Sequence, residues 1–521
     1  MGPGEPDTNT PWDSPAPPTP PAPLTPPAPP PAVGPRPAAG PPLAAGPPPA
    51  PSPQLPAPPP PFASPTAEAY LSLSEQPPPG GITTGGKVVA AMSVLMLGAL
   101  VFFVIQAVTP KTWDPVLEPY VAFVESERGL TFTEPVDVRW ANIAEEIQND
   151  APPLPTTDEI DPWSEAYRLL GLVDPEPGTS SDEALTETLA ENAGAFYEPW
   201  TETIVLPEGQ SELALSVTIV HELTHALQHQ NGMLDFHDDS PDGSVARLAI
   251  IEGDAERIAL SWFRGQPEAD QQAYLEAIGY DPDVEFPDPE NNFYETSFIA
   301  SYEVGLPMVE AIVEAEGVEA VNELLRSKDA GTTERLIDPF NTSDRSSVDA
   351  FFGMRLPAGE LEPDGDLGAL VWFQVLAPAV GTDAAFDALI GYDDDAFAIF
   401  EADGRTCARF SLFFDDASEA TEFALVLDEL HDNRLHSDTN VEVDICDPIS
   451  DPALQRFGTI LPLIVSNEAT SFHLRNGESV EVARCAGIAQ AKTMPADRSQ
   501  DEFVGWDAVF ETAPQFIADC Q

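Results

Sequence analysis

Residues 213–230 read LALSVTIVHELTHALQHQ. Apolar side chains recur along this stretch at spacings that favour a buried helix, and they are Leu213, Leu215, Val217, Ile219, Val220, Leu223, Ala226 and Leu227. Gly232 follows shortly after, and glycine is the residue type that most often ends a helix. Four of the seven histidines of the chain lie between residues 220 and 237, so this predicted helix is also where the chemistry is concentrated.

His221, Glu222 and His225 form an HExxH motif, which is expected by chance only about 0.01 times in such a composition. Residues four apart share one face of a helix, so the two imidazoles can bind a single zinc ion. Glu222 lies about 100° round the helix and can accept a proton from a zinc-activated water as a general base. The alternative, a helix with two metal-free histidines, leaves both buried rings in need of other partners.

Zinc needs a third protein ligand, for which three candidates exist. An HExxHxxGxxH pattern is excluded because Gln228 and Asn231 stand where it requires glycine and histidine. His229 continues the same helix, and three successive turns would stretch over about 12 Å against Zn–N bonds of about 2.1 Å. Glu252 lies in a second predicted helix at 246–260, ARLAIIEGDAERIAL. A carboxylate surrounded by apolar residues in this helix needs a partner, and zinc is a sufficient one.

These motifs resemble the gluzincins, in which a glutamate on a downstream helix completes the HExxH site. HELTHALQ followed by IEGDAE also resembles a group of bacterial secreted or membrane-anchored metallopeptidases. The likeness extends over roughly residues 115–345 and includes a strand at 195–206, helices at 298–317 and a turn at 332–339. It implies that His221, His225 and Glu252 are the zinc ligands, that Glu222 is the base, and that the substrate is a protein or peptide.

Two acids near Glu252 are candidates for supporting roles. In related zincins an acid one turn beyond the ligand glutamate orients a ligand histidine, and Glu256 has that spacing. Asp254 points away from the metal on an ideal helix, so we expect it to pair with Arg247 or Arg257, or to orient backbone.

Stabilisation of a developing oxyanion requires a hydrogen-bond donor aimed at it. Tyr302 is the first candidate for this role and His237 the second. For either residue a purely structural role is the alternative.

The whole chain has 521 residues with 88 acids against 22 bases, a net charge of −66. Such a surface repels nucleic-acid phosphates and anionic lipid headgroups. Nucleic acid is therefore excluded as a partner.

The N-terminal arm, residues 1–86, is predicted to be disordered, since 32 of the 59 prolines lie in the first 80 residues. Such sequence populates solvated polyproline II and cannot build a core. We interpret it as a stiff spacer, and docking to a proline-binding partner is the alternative.

Residues 88–108, VVAAMSVLMLGALVFFVIQAV, carry no charge and are long enough to cross a hydrocarbon core of about 30 Å. They predict one transmembrane helix at 87–109, with a buried core helix as the alternative. All four cysteines follow it, which favours two disulfides in an oxidising compartment. Sequence order favours the pairs Cys407–Cys446 and Cys485–Cys520, against four free thiols. The N-terminus is then cytoplasmic and the catalytic region extracytoplasmic.

The fold class predicted is α+β: a mainly helical zincin-like domain with a small sheet at 110–350, then a disulfide-bearing α+β domain at 351–521. In the second domain the pattern predicts helices within 367–389 and 415–433. It also predicts strands at 397–401, 408–414, 441–446 and 479–485.

The sequence thus indicates a membrane-anchored zinc metallopeptidase. The alternative is a catalytically inactive zincin-like protein that binds a partner or organises the envelope. Glu222 favours the enzyme, because a decayed site has little reason to keep an acid beside its ligands.

Overall fold

The computed structural model describes these parts of the chain: residues 111–150, 161–173, 186, 190, 194–234, 241–279, 293–327, 331–341, 364–430, 434–437, 439–446, 460–494 and 506–521. The predicted arm, the predicted membrane helix, His237 and the boundary near residue 350 lie outside them. None of the helices within the described ranges has the length and apolar character needed to cross a bilayer.

The described chain is mixed α+β, as the sequence predicts. The described part before residue 342 combines helices with a three-stranded sheet. Its helices are α1 Glu118–Arg128, α2 Ile143–Asp150, α3 Pro162–Leu169, α4 Ser216–Gln230, α5 Pro241–Arg264, α6 Glu268–Ile278, α7 Phe293–Glu303, α8 Gly305–Glu316, α9 Val318–Arg326 and α10 Glu334–Ile337. Its strands are β1 Asp137–Ala141, β2 Phe196–Glu198 and β3 Thr203–Pro207, in the order β1-β3-β2. β1 is parallel to β3 and β2 is antiparallel to it.

The stretch at 195–206 forms a hairpin rather than the single strand that the resemblance suggests. β2 ends at Glu198 because Pro199 has no N–H to donate to a ladder. The turn that follows exposes 79% of Trp200 and holds Glu202 at a φ of 50°. β2 is therefore a short edge strand, next to the HExxH helix.

The part from residue 364 onward also combines helices and a sheet. Its helices are α11 Gly368–Val380, α12 Thr382–Leu389, α13 Ala417–Leu430, α14 Leu461–Arg475, α15 Val480–Ala491 and α16 Trp506–Thr512, followed by 3-10 turns Ala513–Gln515 and Ile517–Asp519. Its strands are β4 Tyr392–Ala402, β5 Arg405–Phe414, β6 Arg434–Ser437 and β7 Asn440–Ile445. They form an antiparallel sheet in the order β4-β5-β7-β6.

The prediction of a strand at 479–485 is wrong, because these residues begin α15. Ser479 caps the helix by accepting a hydrogen bond from the backbone N–H of Val482. The helix buries Ala483, Ala486 and Gln490 at helical spacing. The alternation of apolar and polar residues over seven positions suggested a strand. The N-terminal cap and the packing stabilise a helix instead.

The disulfides Cys407–Cys446 and Cys485–Cys520 are both present, in the predicted pairing. The first joins β5 to the residue after β7. The second joins α15 to the last residues of the chain.

Helix α5 is shared by two hydrophobic clusters. Its first half contributes Ala249, Ile250 and Ile251 to a large core that extends from α3 to α16 and contains residues of both predicted domains. Its second half contributes Ile258 and Ala259 to a smaller core made with α1, the β2–β3 hairpin and α4. The middle of α5 is thus fixed from two sides, facing α4.

Candidate metal centre

Helix α4 presents both motif histidines on one face. The Nε2 atoms of His221 and His225 lie 2.9 Å apart, as residues one turn apart on a helix allow. The rest of the helix is held in place by buried apolar side chains, including Val220, Leu223 and Leu227. Gly232 ends this segment with a φ of 69°, in agreement with the prediction.

Helix α5 brings Glu252 to the same point. Its Oε2 lies 3.1 Å from His221 Nε2 and 3.2 Å from His225 Nε2. The three residues are 8%, 7% and 5% exposed for His221, His225 and Glu252.

The residue after Glu252 explains part of this geometry. A Cβ on Gly253 would lie 2.3 Å from the backbone oxygen of Gly305, the first residue of α8. A Cβ on Gly305 would in turn lie 2.5 Å from the backbone oxygen of Ala249. Two glycines therefore allow the chain at the α7–α8 junction to approach α5 beside the candidate ligand. Their role was not predicted from the sequence.

The three converging atoms fit a metal. Tetrahedral coordination with bonds of about 2.1 Å places ligand atoms about 3.4 Å apart, and the separations here are 2.9, 3.1 and 3.2 Å. Two imidazoles and one carboxylate are a donor set suited to divalent transition metals. Among the described residues, His221, His225 and Glu252 form a group that could hold a metal ion.

The ionisation of the group reflects its mutual contacts. Burial alone lowers the pKa of His221, but hydrogen bonds with Glu252 and Glu256 outweigh it and raise that pKa well above its usual value. The pKa of His225 is likewise raised, because its contacts with Glu252 outweigh burial. Burial alone raises the pKa of Glu252, but the two histidines hold it below its usual value. The contacts with the two histidines thus favour the ionised form of the Glu252 carboxylate.

Glu222 is buried next to these residues, but its carboxylate has different hydrogen-bond contacts. It is 5% exposed, and its Oε2 has no hydrogen-bond partner within the described part of the chain. Burial raises the pKa of Glu222, although the two histidines and a bond from the backbone N–H of Tyr197 lower it. One oxygen of this carboxylate is thus available to a proton donor beside the candidate metal site.

Tyr302 and Glu256 also lie at the site. The ring of Tyr302 is nearly parallel to that of His221, with 6.1 Å between centroids and 19° between planes. Burial, followed by the negative charge of Glu252, raises the pKa of Tyr302 well above its usual value. Glu256 Oε1 lies 3.3 Å from His221 Nδ1, on the far side of the ring from Glu252. The structure thus brings both residues to the group formed by His221, His225 and Glu252.

Asp254 has partners that the sequence predicts only in part. It contacts Arg257 at 3.3 Å, as expected, whereas Arg247 donates to the backbone carbonyls of Leu325 and Ser327 instead. Its shortest contacts are with Arg128 of α1 and Gln228 of α4, both at 2.9 Å.

His229 lies apart from the group. Its Nδ1 is 2.9 Å from the hydroxyl of Tyr197. This histidine therefore joins α4 to the edge strand β2, as its position one turn beyond His225 allows.

No family model, no curated protein and no solved structure matches this chain.

Proposed function

We propose that the chain is a zinc-dependent metallopeptidase with a zincin-like catalytic region, held in a membrane by residues 87–109 with that region extracytoplasmic. The observation that carries the proposal is the buried convergence of His221, His225 and Glu252 with the Glu222 carboxylate beside them. Such a set has the three protein ligands of a catalytic zinc site together with a base.

Three protein donors leave the fourth position of a tetrahedral zinc ion for water or substrate. When bound, zinc would lower the pKa of a water ligand and polarise a substrate carbonyl. Glu222 is the residue that takes one proton from the attacking water and delivers it to the nitrogen of the departing amine. A bond forms between the water oxygen and the peptide carbon, and the C–N bond breaks. Tyr302, whose ring lies over that of His221, is the proposed donor to the developing oxyanion.

The test uses the full-length chain, purified in mild detergent without chelators. Zinc should be present at close to one ion per chain, and the protein should cleave an unfolded protein or a peptide library. Glu222→Gln should keep the zinc and lose about 10²- to 10⁴-fold in hydrolysis rate, as loss of a general base does. Glu212→Gln, at an exposed glutamate just before the same helix, is the matched control and should change neither property.

Two outcomes contradict the proposal. Fresh protein without zinc favours the inactive zincin-like alternative. Undiminished hydrolysis in Glu222→Gln removes this residue as the base.

A further inference from the structure

A chain of buried hydrogen bonds that ends in an ion pair leads away from His225, on the side opposite the candidate metal donors. His225 Nδ1 lies 3.0 Å from Gln228 Oε1. The other end of the amide, Gln228 Nε2, donates to Asp254 Oδ2 at 2.9 Å and to the Ile251 carbonyl at 3.2 Å. Asp254 Oδ2 is in turn 2.9 Å from Arg128 Nε. Gln228 and Asp254 are fully buried and Arg128 is 1% exposed.

The partners of Gln228 fix which way its amide points. The carboxylate of Asp254, as the partner of the Arg128 guanidinium, and the carbonyl of Ile251 are both hydrogen-bond acceptors. The NH₂ group must therefore face them, and the amide oxygen must face His225. An amide oxygen can only accept, so Nδ1 of His225 carries the proton. In the neutral ring, the form that binds a metal, Nε2 is then left with its lone pair, on the side of His221 and Glu252.

We propose that Gln228 is a positioning residue for the metal site, held in orientation by Asp254 and Arg128. It fixes the tautomer and the ring plane of His225 so that Nε2 is presented to the ion. This inference rests on the proposed function, because it assumes that the three donors bind zinc. The two ligand histidines are then oriented by different means, His221 by the carboxylate of Glu256 and His225 by a neutral amide.

The charges show why an amide suits the second position. Asp254 is balanced by Arg128 and by Arg257 at 3.3 Å. Gln228 thus transmits the orientation set by this ion pair without adding charge next to His225. A carboxylate in place of the amide would lie against Asp254, where two like charges in a buried site are strongly unfavourable.

The test measures zinc affinity of the full-length chain by competition with a chromophoric chelator. Gln228→Met keeps the length of the side chain and removes all three of its hydrogen bonds. We expect zinc affinity to fall about 10- to 100-fold, as loss of an outer-shell partner does. The visible absorption of the Co²⁺-substituted protein should also change, because one imidazole is no longer fixed.

The matched control is Gln230→Met, two residues along the same helix. Gln230 is also a connecting residue, since its Oε1 accepts from the backbone N–H groups of Thr133 and Glu134. If Gln228 merely held the helices together, both variants would lower the melting temperature of the zinc-free protein and neither would change zinc affinity. That result, or wild-type zinc affinity in Gln228→Met, would overturn the inference.

A second variant keeps the inference testable should Gln228→Met fail to fold. Asp254→Asn offers Gln228 a donor as well as an acceptor, so the amide of Gln228 is free to turn over. We expect zinc affinity to fall in this variant too, and unchanged affinity would count against the inference. Failure of the proposed function would look different. In that case the wild-type chain either binds zinc but hydrolyses no peptide, or binds no zinc at all.

Discussion

Glu222 and Glu252 lie against the same two imidazoles and are equally buried, yet their surroundings separate their roles. Contacts with the histidines hold the pKa of Glu252 low, whereas burial raises the pKa of Glu222. Carboxylates whose environments push their pKa values apart commonly divide the work of a site. This difference supports the proposal that Glu252 is the ligand and Glu222 the base.

The ligand assignment predicts an order of zinc affinities among glutamine variants. Glu252→Gln replaces a ligand carboxylate by a poor donor and should weaken zinc binding most. Glu256→Gln removes only the partner of His221 Nδ1 and should cost about 10- to 100-fold. The exposed control Glu212→Gln should cost nothing. Chelator competition measures all three, and a larger loss in Glu256→Gln than in Glu252→Gln would make Glu256 the ligand.

At the scale of helices, the site depends on how closely the α7–α8 junction approaches α5. Gly253 and Gly305 lie in contact, and Tyr302 stands three residues before this contact, over the ring of His221. The glycine next to the ligand glutamate thus also places the proposed oxyanion donor.

Gly253→Ala should therefore damage both stability and the site. The new Cβ meets backbone, which cannot move aside as a side chain can, and overpacking of this kind costs about 1–3 kcal/mol. We expect a lower free energy of unfolding in urea and slower hydrolysis, because Tyr302 is displaced. Gly194→Ala, whose Cβ would have no atom within 4 Å, is the control. Equal stability of the two variants would show that α5 and the junction are not in such close contact.

The convergence of two histidines and an acid could be predicted from the sequence, mainly because the histidine pair depends on local periodicity. His221 and His225 need only one helical turn, and Glu252 lies on a second helix with a clear apolar pattern. Arg128 could not be predicted, since its contact with Asp254 depends on how α1 packs 126 positions away. The helix at 480–491 shows the same limit, because short alternating stretches suit more than one element until packing decides.

In the whole molecule, acidic residues are so numerous that some carboxylates lie close to each other where the two predicted domains pack. Glu468 of α14 lies near Glu310 of α8, and the local arginines bind Glu310: Arg475 at 3.2 Å and Arg264 at 3.6 Å. Burial first, and then repulsion by Glu310, raises the pKa of Glu468 to about 7. Ionisation of Glu468 is therefore unfavourable in the folded protein.

Replacing Glu468 should stabilise the protein at high pH. Between about pH 4.5, the unfolded value, and about pH 7, the folded chain holds more protons on this group than the unfolded chain. Its contribution to stability is therefore lost as pH rises through that window. We expect Glu468→Gln to be more stable than wild type by on the order of 2 kcal/mol at pH 8, allowing for partial exposure, and equal at pH 4. Urea unfolding at both pH values measures this.

Glu323→Gln, at an exposed glutamate of α9, is the control for that change of charge. A gain in stability that is the same at pH 4 and pH 8 would contradict the explanation by ionisation.

Anomalous X-ray diffraction can show whether one zinc ion binds to His221, His225 and Glu252. Crystals of the full-length chain, measured on both sides of the zinc absorption edge, should show a zinc peak about 2.0–2.2 Å from His221 Nε2, His225 Nε2 and a Glu252 oxygen. A zinc peak elsewhere, or none at these three atoms in unchelated protein, would contradict the account.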